Sequence, residues 1–474
     1  MVFSSITFLT IFLPLTAILY YIPDLFTVKS VNKRTFRKYK NAVLCVVSLL
    51  FYAWGEPKNI VLMLLSIIFN FVVALHIDKC ENEKHRKTLL VFSLVFNLGL
   101  LGFYKYSGFV SDNLSSGFGL TLNFSGPALP IGISFYTFQI LSYVIDVYRK
   151  KVNVQRSILD FALYISMFPQ LIAGPIVQYS VIDLQLSERK ESFSNVAEGI
   201  CLFIKGLAKK TILANSAGAI FENATAEGFA ELSSHGAWTA IIFYAFQIYF
   251  DFGGYSDMAK GLGGMFGFSF PDNFRHPYTA VSVTDFWRRW HITLSSWFRD
   301  YVYIPLGGNR CSVGRNIFNL FVVWSLTGLW HGASLNFVLW GIYYFILLVL
   351  EKFIFLKYTE KLPAFIRRAV TFVFVLFGWV LFACTSVSDI VGFFGSMFGT
   401  NGLFDNSSVF MLAENSVLLI IMGVCSTELF SFNRKDDESN IRVVFRYAVS
   451  SLLFIISIVY LIGDTYNPFL YFRF

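Results

Sequence analysis

Apolar stretches of bilayer-crossing length recur from one end of this 474-residue chain to the other. A crossing helix needs about 20 mainly apolar residues, and within a bilayer its backbone N–H and C=O groups must be satisfied inside the segment itself. Charged residues make up only 14% of the chain, where a soluble domain carries roughly 25%. A soluble helical bundle of this composition would have to bury nearly every face of nearly every helix. The pattern therefore predicts an all-α polytopic membrane protein.

Lysine and arginine are concentrated in alternate loops. Lys29, Lys33, Arg34, Arg37, Lys38 and Lys40 form one loop, Lys79, Lys84, Arg86 and Lys87 a second, and Arg149, Lys150, Lys151 and Arg156 a third. Further basic groups follow at Lys352–Arg368 and Arg434–Arg442. This is the positive-inside distribution, and it accounts for the net charge of +8 without a basic groove for nucleic acid. Taking those loops as cytoplasmic gives about 11 spans at ~20 residues each, with both termini extracytoplasmic. The opening Met1–Ser5 has no basic flank and reads as the start of a retained first helix, not of a signal peptide. Residues 1–474 read as a single membrane-embedded domain.

Three stretches depart from plain spans. Ser107–Pro127, rich in Gly, Ser and Asn, reads as an outer loop or re-entrant piece. Asp160–Gln178 is apolar but interrupted at Pro169-Gln170 and Ala173-Gly174-Pro175; broken helices at membrane depth belong where they are buried in protein or line a cavity. Residues 271–315 mix Trp287, Trp290 and Trp297 with Arg288, Arg289, Arg299 and Arg310, a composition for short amphipathic helices on the cytoplasmic side. The glycine-rich run Asp251–Gly264 lacks Gly-Lys-Ser/Thr and a preceding strand, so close helix packing is preferred to a phosphate cradle. The six cysteines form no Cys-x-x-Cys pair and read as small buried hydrophobes.

The chemistry concentrates in two places. Leu329-Trp330-His331-Gly332-Ala333-Ser334-Leu335-Asn336-Phe337 is a turn between apolar segments. An ionisable side chain inside membrane segments costs roughly 2.5–3.5 kcal/mol or more, so a histidine there is a functional candidate. Burial disfavours the imidazolium form, which suits a general base toward a hydroxyl. A buried histidine bonded between helices is the competing reading. Upstream lies the polar and aromatic block Phe286–Asp300, with His291. No metal-ligand spacing accompanies either histidine, and no metal or bound cofactor is expected.

These stretches, with Met167–Ile176, resemble the membrane-bound O-acyltransferase superfamily. Met1–Ser5, Asp251-Phe252-Gly253-Gly254-Tyr255-Ser256-Asp257, Tyr303–Arg310 and Phe469–Phe474 resemble its bacterial alginate O-acetylation branch. The resemblance covers essentially the whole chain and rests on the order and spacing of the motifs. It implies a helical fold around a central tunnel, His331 as the catalytic histidine, and His291 as a second histidine on the cytoplasmic side that positions the donor or assists proton transfer; interface anchoring beside Trp287 and Trp290 is the alternative for His291. The implied donor is acetyl-CoA, or an acyl-carrier-protein thioester. Arg288, Arg289 and Arg299, with Trp287 and Ser295, are the donor-side candidates, against plain positive-inside anchoring. Asp251, Tyr255, Asp257, Asp285, Gln170 and Asn336 are supporting candidates, the aspartates more as structural salt links. In the extracytoplasmic tail 463–474, Tyr471 is a candidate acyl relay, because a phenol of pKa ~10 leaves more readily than an alkoxide; an aromatic anchor is the alternative. The resemblance implies a bacterial inner-membrane enzyme, a polysaccharide acceptor and an extracytoplasmic SGNH-type acetyltransferase partner. D-alanyl transfer to teichoic acid and a non-catalytic polysaccharide or lipid transporter are the competing functions. A transporter would favour internal repeats, and none is visible.

Overall fold

The structure, a computed structural model, describes residues 2–25, 33–118, 124, 126–172, 174–430 and 440–463. The tail from residue 464 onward, with Tyr471, lies outside the described residues, as do Lys29, Arg434 and Lys435. No strand occurs among the described residues. Six helices among them are long and apolar enough to cross a membrane: Ile60–Lys79, Glu83–Ser115, Leu335–Thr359, Ala364–Ala383, Asn406–Cys425 and Ile441–Gly463. Phe8–Asp24 and Val387–Met397 are shorter apolar helices, and Ile133–Tyr148 and Ile158–Ser166, of 16 and 9 residues, are largely buried. The chain divides into two compact units, Met1–Phe203 with Asp257–Pro271, and Ile204–Ser256 with Asp272–Phe474.

The first unit contains α1 (Leu13–Leu25), α2 (Lys33–Gly55), α3 (Ile60–Lys79), α4 (Glu83–Phe118), α5 (Ile133–Tyr148), α6 (Ile158–Ser166), α7 (Phe168–Leu171), α8 (Tyr179–Glu188) and most of α9 (Phe193–Ala208). Helix α4 runs on to Phe118, so residues 107–118 of the expected outer loop or re-entrant piece are helical. Within it the Asn113 amide donates to the Phe109 carbonyl at 2.7 Å, back along the helix. Helices α3 and α4 are joined by a paired amide. Asn70 Nδ2 donates to Asn97 Oδ1 (3.1 Å), Asn97 Nδ2 donates to Asn70 Oδ1 (2.8 Å), and Ser93 Oγ adds a third bond at 2.7 Å. Buried amides that satisfy each other are among the few polar contacts that hold helices together in lipid.

Helix α5 is buried along almost its whole length. Its N-cap, Gly132, has φ +75°, and a Cβ there would lie 2.7 Å from the Leu171 carbonyl oxygen, so glycine is required twice over. The break between α6 and α7 is held by Gln170, whose Nε2 donates to the Tyr164 carbonyl at 2.5 Å. Beyond the spans, Arg37, Lys40 and Arg189 converge on Glu191, and Tyr20 donates to the same carboxylate at 2.6 Å. Burial works against this charge, but the bonds from Arg37 and Tyr20 prevail and hold the carboxyl at about 2.

The second unit contains α10 (Asn215–Ala224), most of α11 (Ser234–Met265), α12 (Val283–Arg289), α13 (Ile292–Phe298), α14 (Val313–His331), α15 (Leu335–Leu350), α16 (Leu356–Thr359), α17 (Ala364–Ala383), α18 (Val387–Met397), α19 (Asn406–Cys425) and α20 (Asn440–Gly463). The glycines of α11 do serve close packing. A Cβ on Gly254 would sit 2.7 Å from the Gly206 carbonyl oxygen. One turn earlier on α11, Asp251 pairs with Lys210 at 2.9 Å, both buried, and Lys210 also donates to Asn215 Oδ1 at 2.9 Å. Lys210 lies in a π-helical stretch, Lys209–Ala214.

Helices α14 and α15 form a tight hairpin. A Cβ on Gly341 would lie 2.5 Å from the Trp324 carbonyl oxygen and 3.3 Å from the Gly328 Cα; a Cβ on Gly328 would strike the Phe337 carbonyl oxygen. Two glycines facing each other let the backbones approach closely, as small residues do in membrane helix pairs. Around this hairpin Trp287, Trp324, Trp340, Tyr344, Trp379 and Phe382 pack into one aromatic core.

Candidate functional site

His331 is the last residue of α14, and the extended backbone of Gly332 (φ −170°) ends the helix there. The side chain is 8% exposed. Its ring centroid lies 5.0 Å from Trp340, 5.1 Å from Trp330 and 5.3 Å from Phe382, each near edge-to-face. The hairpin sets this position: α15 supplies Trp340 and Phe337, α17 supplies Phe382, and Gly332 admits the Phe337 ring where a side chain would block it.

His291 comes from a different local device. It lies between α12 and α13 in the left-handed region, with φ +44° and ψ +52°, a strained conformation for a residue other than glycine. Ser282 caps α12 by accepting from the Asp285 N–H at 3.0 Å, and the chain then turns sharply at Trp290. The turn is pinned by the segment before α12: Ile292 N–H donates to the Asn273 carbonyl and Arg275 N–H to the Arg289 carbonyl, both at 2.9 Å. His291 is 1% exposed. Its ring meets Phe252 at 4.8 Å and Trp330 at 5.9 Å. Burial pushes its pKa down to about 3, so the imidazole is neutral at physiological pH.

Trp330 thus touches both imidazoles, 5.9 Å from one and 5.1 Å from the other. Two buried histidines, one at the end of α14 and one in the turn between α12 and α13, share one tryptophan wall. A neutral imidazole in an apolar surround, as at His291, can accept a proton from a hydroxyl or hold a donor group in place.

The remaining sequence candidates divide. Trp287 and Trp290 are core residues rather than interface anchors: Trp287 packs 4.7 Å from Trp324 and 4.8 Å from Tyr344. Asn336 is buried and donates to the Leu381 carbonyl at 3.4 Å, tying α15 to α17 beside the His331 turn. Arg289 pairs with Asp285 at 2.9 Å, and Arg299 forks onto Asp300 at 2.8 and 3.1 Å. Arg288 is exposed, and Ser295 is half-buried on α13. Asp251 is held by Lys210. Tyr255 is buried one turn further along α11, and Asp257 is half-buried in the stretch of α11 that belongs to the first unit. Gln170 also belongs to the first unit, where it caps α6. Sequence reasoning missed Asn273, buried at 1%, whose Oδ1 lies 3.1 Å from His291 Nδ1.

Comparison with known proteins gives a consistent frame. The profile of MBOAT, the membrane-bound O-acyltransferase family, matches residues 5–390. The chain is 34% identical to the probable alginate O-acetylase AlgI of Pseudomonas putida over the full length of both proteins. It is 32% identical to the peptidoglycan O-acetyltransferase of Helicobacter pylori over 91% of each chain. The teichoic acid D-alanyltransferase of Bacillus subtilis is 29% identical over 53% of this chain and 68% of its own.

Proposed function

This chain belongs to the membrane-bound O-acyltransferase family and is a multi-pass membrane acyltransferase, and from that premise we propose that it moves an acetyl group from a cytoplasmic thioester to O-acetylate an extracellular polysaccharide. The observation that carries this reading is the pair of buried imidazoles, His291 and His331, against one tryptophan within a family match spanning most of the chain. The end-to-end similarity to an alginate O-acetylase and the 91% coverage of a peptidoglycan O-acetyltransferase favour acetyl transfer to an envelope glycan. The similarity to the D-alanyltransferase covers about half of this chain, which favours D-alanyl transfer less.

In this reading His331 takes the proton of an attacking hydroxyl. The oxygen adds to the thioester carbonyl, the C–S bond breaks as the C–O ester bond forms, and the proton goes to the departing sulfur. Acetyl-CoA is the donor, with a carrier-protein thioester as the variant to test. Arg288, exposed beside the His291 turn, is the donor-side cation in this reading. Tyr471 relays the acyl group to an extracytoplasmic SGNH-type transferase, with both termini on that side of a bacterial inner membrane.

The test is transfer of label from acyl-labelled acetyl-CoA to the purified full chain in proteoliposomes, comparing wild type, His331→Ala and Tyr471→Phe. Label that requires both residues supports base and relay. Label lost only with His331→Ala keeps the acyltransferase and moves the acceptor elsewhere. Labelling by a carrier-protein thioester alone refutes the acetyl-CoA donor.

A further inference from the structure

His291 is presented to the site by a hydrogen-bond network that decides which of its nitrogens carries the proton. Asn273 Oδ1 lies 3.1 Å from His291 Nδ1, 2.9 Å from Thr293 Oγ1 and 3.4 Å from the Thr293 backbone nitrogen. Asn273 Nδ2 donates to Ser256 Oγ at 3.1 Å. The two ends of a carboxamide look alike by shape, and only their partners tell them apart. Here a partner does so: the backbone N–H of Thr293 can only donate, so the atom it meets is the amide oxygen. Nδ1 of a neutral His291, facing that same oxygen, must then carry hydrogen. A neutral imidazole has one N–H, so Nε2 keeps its lone pair. That atom is buried and meets no hydrogen-bond partner among the described residues. Buried polar atoms are nearly always satisfied, so a bare acceptor beside Trp330 marks the place of a donor that arrives with substrate.

We propose that Asn273 is a positioning residue that holds His291 as the Nδ1–H tautomer, leaving Nε2 as a hydrogen-bond acceptor for an O–H or N–H of the substrate. The assignment rests on the acyltransferase reading for its substrate, and it sharpens that reading. A lone pair repels a carbonyl oxygen, so His291 in this state does not polarise the thioester carbonyl or stabilise an oxyanion. It takes a hydrogen, either from the hydroxyl that attacks or from an amide of the pantetheine arm that carries the thioester. The left-handed backbone at His291 fits the same design. Asn273 receives Ile292 N–H through its main chain and serves the His291 ring through its side chain, so one residue sets both the strained turn and the ring.

The experiment labels the histidine rings of the full chain with nitrogen-15 in proteoliposomes and reads the nitrogen spectrum, with His291→Gln identifying the His291 signals. Wild type is expected to show a protonated Nδ1 and an unprotonated Nε2. Asn273→Ala is expected to mix the tautomers and to lower kcat about 10- to 100-fold with KM little changed, the scale of lost orienting partners elsewhere. Should that variant fail to fold, Thr293→Val replaces it: near-isosteric, it removes one donor that orients the Asn273 amide, and a partial loss of the Nδ1–H signal with a smaller fall in kcat is expected. A wild-type spectrum with Nε2–H, or a folded variant that keeps both tautomer and rate, overturns the assignment. The spectrum needs no turnover: a chain with the expected tautomer that transfers acyl from neither thioester would sink the functional reading and leave Asn273 in place.

Discussion

Replacing Gly341 by alanine tests whether the α14–α15 hairpin is what holds His331. The new Cβ would lie 2.5 Å from the Trp324 carbonyl oxygen, where ordinary contact begins near 3.4 Å, so the two helices must part by about 1 Å. The obstacle is backbone, which no rotamer change can remove. Overpacking of this kind costs typically 1–3 kcal/mol. Alanine is the better helix former by roughly 1 kcal/mol, so part of that is offset and the net loss of stability is about 1–2 kcal/mol. The effect on rate is larger, because a shift of about 1 Å in a reacting group can cost on the order of 100-fold. Gly332→Ala makes the informative contrast. Its Cβ strikes only the Phe337 ring, so Phe337→Ala removes the obstacle. In a Phe337→Ala background Gly332→Ala should therefore cost almost nothing, whereas Gly341→Ala should cost as much as it does alone. Thermal unfolding in detergent and initial acyl-transfer rates in proteoliposomes read both quantities. Wild-type rate and melting temperature for Gly341→Ala, or equal damage from Gly332→Ala in both backgrounds, would refute the steric argument.

Other outcomes follow from single sites. His331→Gln should lower acyl transfer by on the order of 100-fold or more, the usual worth of a general base, while its melting temperature stays close to wild type. Asn70→Leu should destabilise by about 1–2 kcal/mol, since it leaves the Asn97 amide without its pair; Asn70→Leu with Asn97→Leu should cost less than the sum of the singles in thermal unfolding. Glu191 bears on acid stability. Its carboxyl lies at about 2 in the folded chain against an ordinary 4.5, so its contribution is complete above about pH 4.5 and is lost as the pH falls toward 2. Melting temperature followed from pH 6 to 3 should therefore fall less steeply for Glu191→Gln than for wild type, and parallel curves would refute that role.

Much of the site is legible in the sequence because its cost is. A histidine between two apolar runs stands out at His331, and the polar block around His291 breaks an otherwise apolar chain. The helical membrane fold is legible for the same reason. The tryptophans mislead: at the ends of apolar segments a core residue and an interface anchor have the same neighbours in sequence, and only packing reveals that Trp287 and Trp290 are core. Asp285 and Arg289 stand four apart on one short helix, a spacing that does predict their pairing. Asn273 is not legible at all. It lies 18 residues before His291, in a stretch without periodicity, and its meaning depends on a left-handed turn that histidine rarely adopts. The span count is harder to read, because apolarity alone does not separate a helix buried among protein neighbours, as α5 and α6 largely are, from one that faces lipid.

The Lys210–Asp251 pair has a consequence for how such a chain can change over generations. Breaking a buried ion pair by removing one partner costs roughly 3–5 kcal/mol, while replacing both by apolar residues of similar volume is often neutral or better. The two ends of that path are comparably fit, but each single step between them falls into a deep valley. Drift is therefore stopped at both positions at once, and the pair can persist in descendants for want of an exit, even if neither residue is needed for the work of the protein. Asn215, which also binds Lys210, adds a third lock to the same gate.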